Sequence, residues 1–276
     1  MKKANVFSPA HCEPSSIKVL QLTDMHLMAS VDDQLVGVNT EESFLSILSL
    51  AQQQSWPPDL IFLTGDLSQD GSIQSYQRLI EHLKKLGIPC YVLPGNHDTS
   101  STLTSLFSTP PVMYQPFLHH KQWLFAFLNS ETPGEEGGTL DEQEVANLQQ
   151  EIDAHPAKHV LICLHHQLKP VGSQWLDSMC VANPAPLLYL IENNPSVQGI
   201  IHGHVHQSFS STIAGSPVYS TPSTCFQFKP FSQEFAIDNI APGYRWLSLT
   251  PNGGIHTDVI RLATTPNNLD QNSAGY

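Results

Sequence analysis

Candidate metal ligands follow five apolar segments of the sequence, each at the point where the segment ends. They are Asp24 and His26, Asp66, Asn96 and His97, His165 and His166, and His204 and His206. Each short motif is common by chance when it is taken singly. One class of ligand at five successive segment ends instead indicates a shared site, because polar groups at the end of a buried strand are costly unless a partner satisfies them.

The donor set suits two divalent transition-metal ions. Imidazole nitrogens and carboxylate oxygens bind Fe, Mn and Zn, and the absence of cysteine from the set excludes a tetrathiolate site. Two aspartates and several histidines fill two coordination spheres only if one group is shared, and a carboxylate can bridge two ions. The positive charge of two such ions is larger than the negative charge of two carboxylates and one bridging hydroxide, so the site has a net positive charge. A positive site with an activated water suits a phosphate ester.

Predicted strands and helices alternate around these residues. Apolar runs predict strands at 17–22, 60–63, 90–93, 122–129, 159–164 and 197–201. A helical period predicts helices at 41–53, 72–86, 99–107, 141–154 and 185–193. Short alternating segments between 208 and 261 predict antiparallel strands. Since sites in α/β sheets form at the carboxyl ends of strands, we expect the candidate ligands to meet at one edge.

The composition limits the partners that the chain could have. The 276 residues are 40% hydrophobic and carry a net charge of −13, which disfavours binding to nucleic-acid phosphates. No apolar run has the length of a transmembrane helix, and no apolar segment of a signal peptide follows Lys2 and Lys3. Five cysteines without a CxxC pair indicate reduced thiols. We therefore expect a cytoplasmic protein that acts on a small molecule, with no nucleic-acid, membrane or obligate protein partner.

The sequence contains no repeat, low-complexity tract or linker within its patterned region. We expect a single domain at 16–262, preceded by a flexible arm at 1–15 and followed by an Asn-rich C-terminal tail at 263–276.

The motifs, in this order, resemble the calcineurin-like metallophosphoesterase superfamily, whose pattern is D-x-H, G-D, G-N-H-D/E, H and G-H-x-H. The resemblance implies an α/β (α+β) fold of two mixed β-sheets packed face to face and flanked by helices, a four-layer αββα sandwich. It implies that the first metal ion is held by Asp24, His26, Asp66 and His206. It implies that Asp66 also binds a second ion, and that Asn96, His165 and His204 are the other ligands of that ion.

The same resemblance implies catalytic roles for His97 and Asp98. His97 corresponds to the imidazole that binds no metal, contacts phosphate and assists the leaving oxygen, and Asp98 could orient it. The substrate contacts implied are His26, Asp66, Asn96, His97 and His206.

Segments outside the metal motifs are similar to one branch, the bacterial class III 3′,5′-cyclic-AMP phosphodiesterases. They are 37–40, 167–177, 221–230, 242–246 and 275–276. This similarity implies hydrolysis of cyclic AMP to 5′-AMP by a metal-bridging hydroxide at a dinuclear centre, which would lower intracellular cyclic AMP. Fe(II) and Mn(II) are the expected ions, and Zn(II) also fits the ligands. A broader phosphodiesterase or phosphatase remains open, since the metal motifs alone do not select the substrate.

Five further residues are more often structural than functional. His166 is expected to point away from the site if its strand continues. His119 and His120 are expected in a solvent-facing loop. Trp175 and Phe226 could stack on a base, although aromatic residues more often lie in the core.

Overall fold

The computed structural model describes residues 15–54, 56–156 and 158–275. The arm expected at 1–15 therefore lies outside the described residues, except for Ser15. The strands are β1 Ile17–Leu22, β2 Gln34–Leu35, β3 Val38–Asn39, β4 Leu60–Thr64, β5 Cys90–Leu93, β6 Ser108–Thr109, β7 Val112–Tyr114, β8 Phe117–His120, β9 Trp123–Phe127, β10 His159–Cys163, β11 Val197–His202, β12 Ser210–Ile213, β13 Ser216–Ser220, β14 Gln227–Phe228, β15 Ile237–Asp238, β16 Gly243–Leu249 and β17 Ile255–Arg261. The helices are α1 Thr40–Gln53, α2 Ile73–Lys84, α3 Ser100–Leu106, α4 Glu142–Ala154, α5 Gln174–Asp177 and α6 Ala185–Asn193.

Two mixed sheets dominate the fold. The first has the order β17-β16-β1-β4-β5-β7-β6, and the second has the order β12-β13-β11-β10-β9-β8. β1, β4 and β5 run parallel in the first sheet, and β9, β10 and β11 run parallel in the second. The carboxyl ends of these strands therefore lie side by side, which confirms the expectation that their loops converge.

Apolar side chains separate the molecule into four layers. One buried cluster lies between the sheets, where Phe62 of the first packs edge-on against Phe125 and Phe127 of the second, with ring centroids 5.0 and 4.9 Å apart. Helices α1 to α3 cover the outer face of the first sheet, and α4 and α6 cover that of the second. The central strands are buried on both faces, which explains their uninterrupted apolar runs. The αββα sandwich expected from the resemblance is confirmed.

One local prediction is wrong. His119 and His120 lie in β8, which pairs antiparallel with β9, rather than in a loop; His119 is exposed beside Glu151, and His120 is half-buried. The antiparallel strands predicted between 208 and 261 are confirmed in the pairs β12–β13, β14–β15 and β16–β17, and β13 also pairs parallel with β11. The neighbouring strand decides each pairing, and the local sequence does not specify that neighbour.

Residues 263–275 form no helix or strand but lie against the β2–β3 hairpin. The backbone N–H of Asp270 donates to the carbonyl of Val36 at 2.9 Å, and Leu269 packs against the apolar cluster that contains Leu35 and Val38. The division of the chain into arm, domain and tail stays a prediction. Among the described residues, no helix has the length and apolar character needed to cross a membrane.

Candidate dinuclear metal centre

Loops at the carboxyl ends of both sheets bring the candidate ligands together. Asp24, Asp66 and Asn96 follow β1, β4 and β5 of the first sheet, while His165 and His204 follow β10 and β11 of the second. Backbone hydrogen bonds join these loops: Asp24 N–H donates to the carbonyl of Gly65 at 3.0 Å, and His26 N–H donates to that of Asp66 at 2.9 Å. The ligands are thus positioned by backbone as well as by side-chain packing.

Five of the candidate ligands have left-handed backbone conformations. The φ angles are 53° at Asp24, 47° at His26, 49° at Asp66, 66° at His204 and 46° at His206. Such angles cost a non-glycine residue of order 1–3 kcal/mol each and persist only where the surroundings impose them. Their concentration at one site indicates that the fold accepts strain in order to aim these side chains.

Two glycines allow the loops to approach closely. A Cβ on Gly95 would lie 2.1 Å from Oδ1 of Asp66, and one on Gly203 would lie 2.1 Å from Oγ1 of Thr23 and 2.8 Å from Oδ2 of Asp24. Neither position has room for a side chain. The glycines of the G-N-H-D and G-H-x-H motifs are therefore needed for the contact between loops.

Asp24, His26 and His206 form the first ligand group. Nδ1 of His26 donates to Oε1 of Gln69 at 2.7 Å, and Nδ1 of His206 donates to the carbonyl of Phe226 at 2.9 Å. The Nε2 atoms of these two rings then both carry lone pairs, yet they lie 3.1 Å apart, and His206 Nε2 is 3.4 Å from Oδ1 of Asp24. Facing acceptors at this separation repel one another unless a cation lies among them, so this group fits a metal ion.

Asn96, His165 and His204 form the second ligand group beside Asp66. Oδ1 of Asn96 lies 3.2 Å from Nε2 of His165 and 3.1 Å from Nδ1 of His204. Oδ2 of Asp66 is 3.2 Å from Nε2 of His165 and 3.6 Å from Nε2 of His26, so it lies between the two groups. This oxygen is buried and has no hydrogen-bond donor among the described residues. Because a buried carboxylate oxygen that accepts no hydrogen bond is costly, its position among these imidazoles suits a ligand shared by two cations.

The electrostatics of the cluster favour the metal-binding protonation states of His26, His204 and Asp66 but not that of His165. Burial lowers the pKa of His26 to about 3 and holds the pKa of His204 well below its usual value. Burial alone would raise the pKa of Asp66, but nearby imidazoles, His165 above all, bring it well below the ordinary range. For His165, burial would lower the pKa, and Asp66 outweighs it to raise the pKa to about 9. Binding of a metal by His165 therefore releases a proton.

Oxygen atoms behind the ligands hold the rings in place. The carbonyl of Thr64 accepts from Nδ1 of His165 at 2.9 Å, as that of Phe226 does from His206. Such partners fix the tautomer and the orientation of a metal-binding imidazole. The sequence did not indicate them, since backbone carbonyls carry no residue signal. Gln69 differs from these partners because it holds His26 through its side chain. A polar side chain three residues after Asp66 is a signal that the sequence does contain.

His97 lies beside the ligands, and Asp98 lies behind them. His97 is half-buried; its Nδ1 is 3.2 Å from the carbonyl of Gln69, and its ring packs edge-on against His26 at 5.0 Å. Asp98 is buried and accepts hydrogen bonds from Tyr76 Oη and from the backbone N–H groups of Leu67, Ser68 and Gly95.

None of the hydrogen bonds that Asp98 makes in the described part of the chain is to His97. The carboxylate instead joins the loop after β4 to the loop after β5. That Asp98 orients His97 stays a prediction, and the backbone N–H of Gly95 that Asp98 holds is the nearest of these contacts to His97 along the chain.

His166 does not point away from the site as expected. β10 ends at Cys163, so the alternation of a strand no longer applies, and the ring lies with its centroid 4.9 Å from that of His165 and 4.7 Å from that of His204. Its two nitrogens contact Oγ of Ser130 at 2.8 Å and the carbonyl of Glu136 at 3.2 Å. His166 also lies with His165 and His204 in a buried group of ring nitrogens that could hold a metal ion, so its structural interpretation stays a prediction.

A cavity of about 220 Å³ opens beside the second ligand group. Its lining residues are Asn96, His97, Glu136, Trp175, Met179, His204, Phe235, Ala274 and Gly275. Trp175 thus reaches the cavity, whereas Phe226 is fully buried and packs against His26 and His206. Gln167 lies beneath α5, where its Nε2 donates to the carbonyl of Leu176 at 2.7 Å, next to Trp175.

Known proteins with similar sequences are phosphodiesterases. The chain is 39% identical over 263 residues to the 3′,5′-cyclic adenosine monophosphate phosphodiesterase CpdA of Vibrio vulnificus, which covers 95% of this chain and 96% of that protein. It is 36% identical to CpdA of Escherichia coli K12 over 94% of this chain and 95% of that protein. It is 35% identical to a 3′,5′-cyclic-nucleotide phosphodiesterase of Nostoc over 91% of this chain and 94% of that protein.

The fold is shared with more distant proteins. A dimetal phosphatase from Danio rerio superposes with a TM-score of 0.62 at 14% identity, covering 90% of this chain and 99% of that one. The family model of calcineurin-like phosphoesterases matches residues 17–208, which contain every candidate ligand. With most of the chain also aligned to relatives above 30% identity, the chain belongs to the calcineurin-like phosphoesterase family.

Proposed function

We propose that the chain hydrolyses 3′,5′-cyclic AMP to 5′-AMP at a centre of two divalent metal ions, in the cytoplasm. The observation that carries the chemistry is the meeting of two ligand groups at Oδ2 of Asp66, a buried oxygen without a hydrogen-bond donor in the described residues. The observation that supports the substrate is the similarity to 3′,5′-cyclic-AMP phosphodiesterases that align over more than nine-tenths of this chain.

The proposed ligands divide between the two ions. Asp24, His26 and His206 would hold one ion, Asn96, His165 and His204 the other, and Asp66 would contribute to both. Fe(II) or Mn(II) suits this mixture of imidazole and oxygen donors, and Zn(II) is the alternative. When bound, the ions supply positive charge for the phosphate oxygens and lower the pKa of water at the site.

In the proposed reaction, water attacks phosphorus and releases a proton to solvent, the bond from phosphorus to O3′ breaks, and O3′ takes up a proton that His97 would supply. Nδ1 of His97 lies 3.2 Å from the carbonyl of Gln69, which orients the ring, and Nε2 would carry the proton for the leaving oxygen. Asn96, the neighbouring residue, is neutral and so adds no negative charge against the phosphate.

The experiment is an assay of the purified chain with cyclic AMP, before and after removal of metal. Protein purified without chelators should contain about two transition-metal ions per chain by elemental analysis. Removal of these ions should abolish release of 5′-AMP, and addition of Mn(II) or Fe(II) should restore it. Hydrolysis of other diesters without hydrolysis of cyclic AMP by the metal-replete protein would contradict the proposed substrate.

A second candidate is a less selective cyclic-nucleotide phosphodiesterase. The relative from Nostoc is named for 3′,5′-cyclic nucleotides without a specified base. A panel of cyclic AMP, cyclic GMP and 2′,3′-cyclic AMP, compared by kcat/KM, distinguishes the two: similar values across the panel would favour the second candidate.

A further inference from the structure

We propose that the cavity beside Asn96 and His97 is a nucleoside subsite, and that the C-terminal segment 269–275 forms one of its walls. The proposal rests on the proposed function, since it assigns a place to the base and ribose of the substrate.

The cavity joins the catalytic residues to an aromatic surface. Its lining includes Asn96, His97 and His204 of the candidate site together with Trp175, Met179 and Phe235. At about 220 Å³ it is smaller than the roughly 300–1,000 Å³ of a typical ligand pocket, so it suits one mononucleotide rather than a polymer. A phosphate placed at the metal ligands therefore positions its base toward the aromatic surface.

The aromatic surface is held rigidly. Nε1 of Trp175 donates to Oγ of Ser232 at 3.1 Å, and its ring packs edge-on against Phe228 and Phe235 with centroids 4.8 and 5.3 Å away. Phe228 in turn stacks on the metal-ligand candidate His206 at 4.1 Å. The indole is thus positioned relative to the metal centre by a continuous stack of rings. Rigid aromatic side chains of this kind bind bases by stacking at a low entropic cost.

The C-terminal segment reaches the cavity because Gly37 admits it. Ala274 and Gly275 line the cavity, and the segment docks through Asp270 on Val36. A Cβ on Gly37 would lie 2.0 Å from the carbonyl oxygen of Asn268 and 3.0 Å from its carbon. Backbone atoms cannot move aside as a flexible side chain would, so alanine at this position would displace the segment. The hairpin turn therefore controls a wall of the cavity from a distance.

The first test removes the aromatic face. Trp175→Ala should raise KM for cyclic AMP about 10-fold, since stacking of one base on an aromatic side chain contributes binding energy of that order. Hydrolysis of ribose 3′,5′-cyclic phosphate, the same diester without its base, should be unchanged. Trp175→Phe, which keeps a ring, should restore most of the affinity. Equal loss on both substrates, or no loss on either, would overturn the subsite.

The second test displaces the C-terminal wall. Gly37→Ala should raise KM for cyclic AMP several-fold with metal content unchanged. Gly215→Ala is the matched control, because Gly215 also has a left-handed φ of 87° but has nothing within 4 Å of an added Cβ. The same KM in both variants would overturn the role of the segment. Absence of cyclic AMP turnover by the metal-replete wild-type protein would overturn the proposed function, and this inference with it.

Discussion

The metal centre and the cavity wall opposite it are built in different ways. Around the metal centre, the ligands come from loops that are joined by backbone hydrogen bonds, with carbonyls behind His165 and His206. The wall consists of Trp175 and Phe235, which are half-buried, and of a C-terminal segment without regular structure. The ligands are thus fixed by hydrogen bonds between loops, whereas the wall is held by ring packing around Trp175 and by the docking of the C-terminal segment on Val36. We infer that the chemistry is constrained by the fold and that substrate preference is set by the wall.

The largest expected effect follows from Asp66→Asn. Loss of the shared carboxylate oxygen should weaken binding of both ions and lower kcat at least about 100-fold, because even partners behind a ligand change metal affinity by 10–100-fold. The effect should be equal for cyclic AMP and for a diester without a base. Metal content and kcat are the measurements, with the exposed Asp33→Asn as control. Retention of two ions and full activity would contradict the shared role.

His97→Ala separates catalysis from metal binding. We expect kcat to fall about 10²- to 10⁴-fold, as for loss of a general acid, with two ions still bound. Steady-state kinetics and elemental analysis check this, and the surface variant His119→Ala is the control. An unchanged kcat would show that the leaving oxygen takes its proton elsewhere.

Gln69→Ala tests a residue that the motifs did not include. Its amide oxygen holds the His26 ring, while the carbonyl facing His97 is backbone and survives the substitution. Metal affinity should therefore fall about 10- to 100-fold while saturating metal restores kcat. Titration of the metal-free protein with Mn(II) measures the affinity, compared with the exposed Gln53→Ala. Loss of kcat that excess metal does not restore would contradict this assignment.

Tyr76→Phe has the smallest expected effect and concerns stability. It removes one hydrogen bond to Asp98, which should lower the free energy of unfolding by about 1 kcal/mol and leave kcat nearly unchanged. Tyr244→Phe is the matched control, since the buried Tyr244 hydroxyl has no hydrogen-bond partner among the described residues. Denaturant unfolding measures both. A large fall in kcat for Tyr76→Phe would instead support a direct catalytic role for the carboxylate of Asp98.

The sequence by itself determined the central strands, the helices that cover them and the convergence of the ligands. The apolar runs at β1, β4, β5, β10 and β11 specify strands, and parallel strands place their carboxyl ends at one edge. These are local properties that spacing and residue type express directly. The four-layer architecture followed from the resemblance and agrees with where the apolar faces lie.

Only the tertiary structure decided which groups the polar side chains around the site contact. Asp98 bonds to the loop after β4 rather than to His97, His166 turns toward His204 because β10 has ended, and His119 lies in a strand because β9 pairs with it. Ala274 and Gly275 line the cavity, and the segment that carries them passes Gly37, which leaves room for the backbone carbonyl of Asn268. These contacts join segments that are distant along the chain. They depend on packing between elements, and no local pattern of residue types encodes that packing.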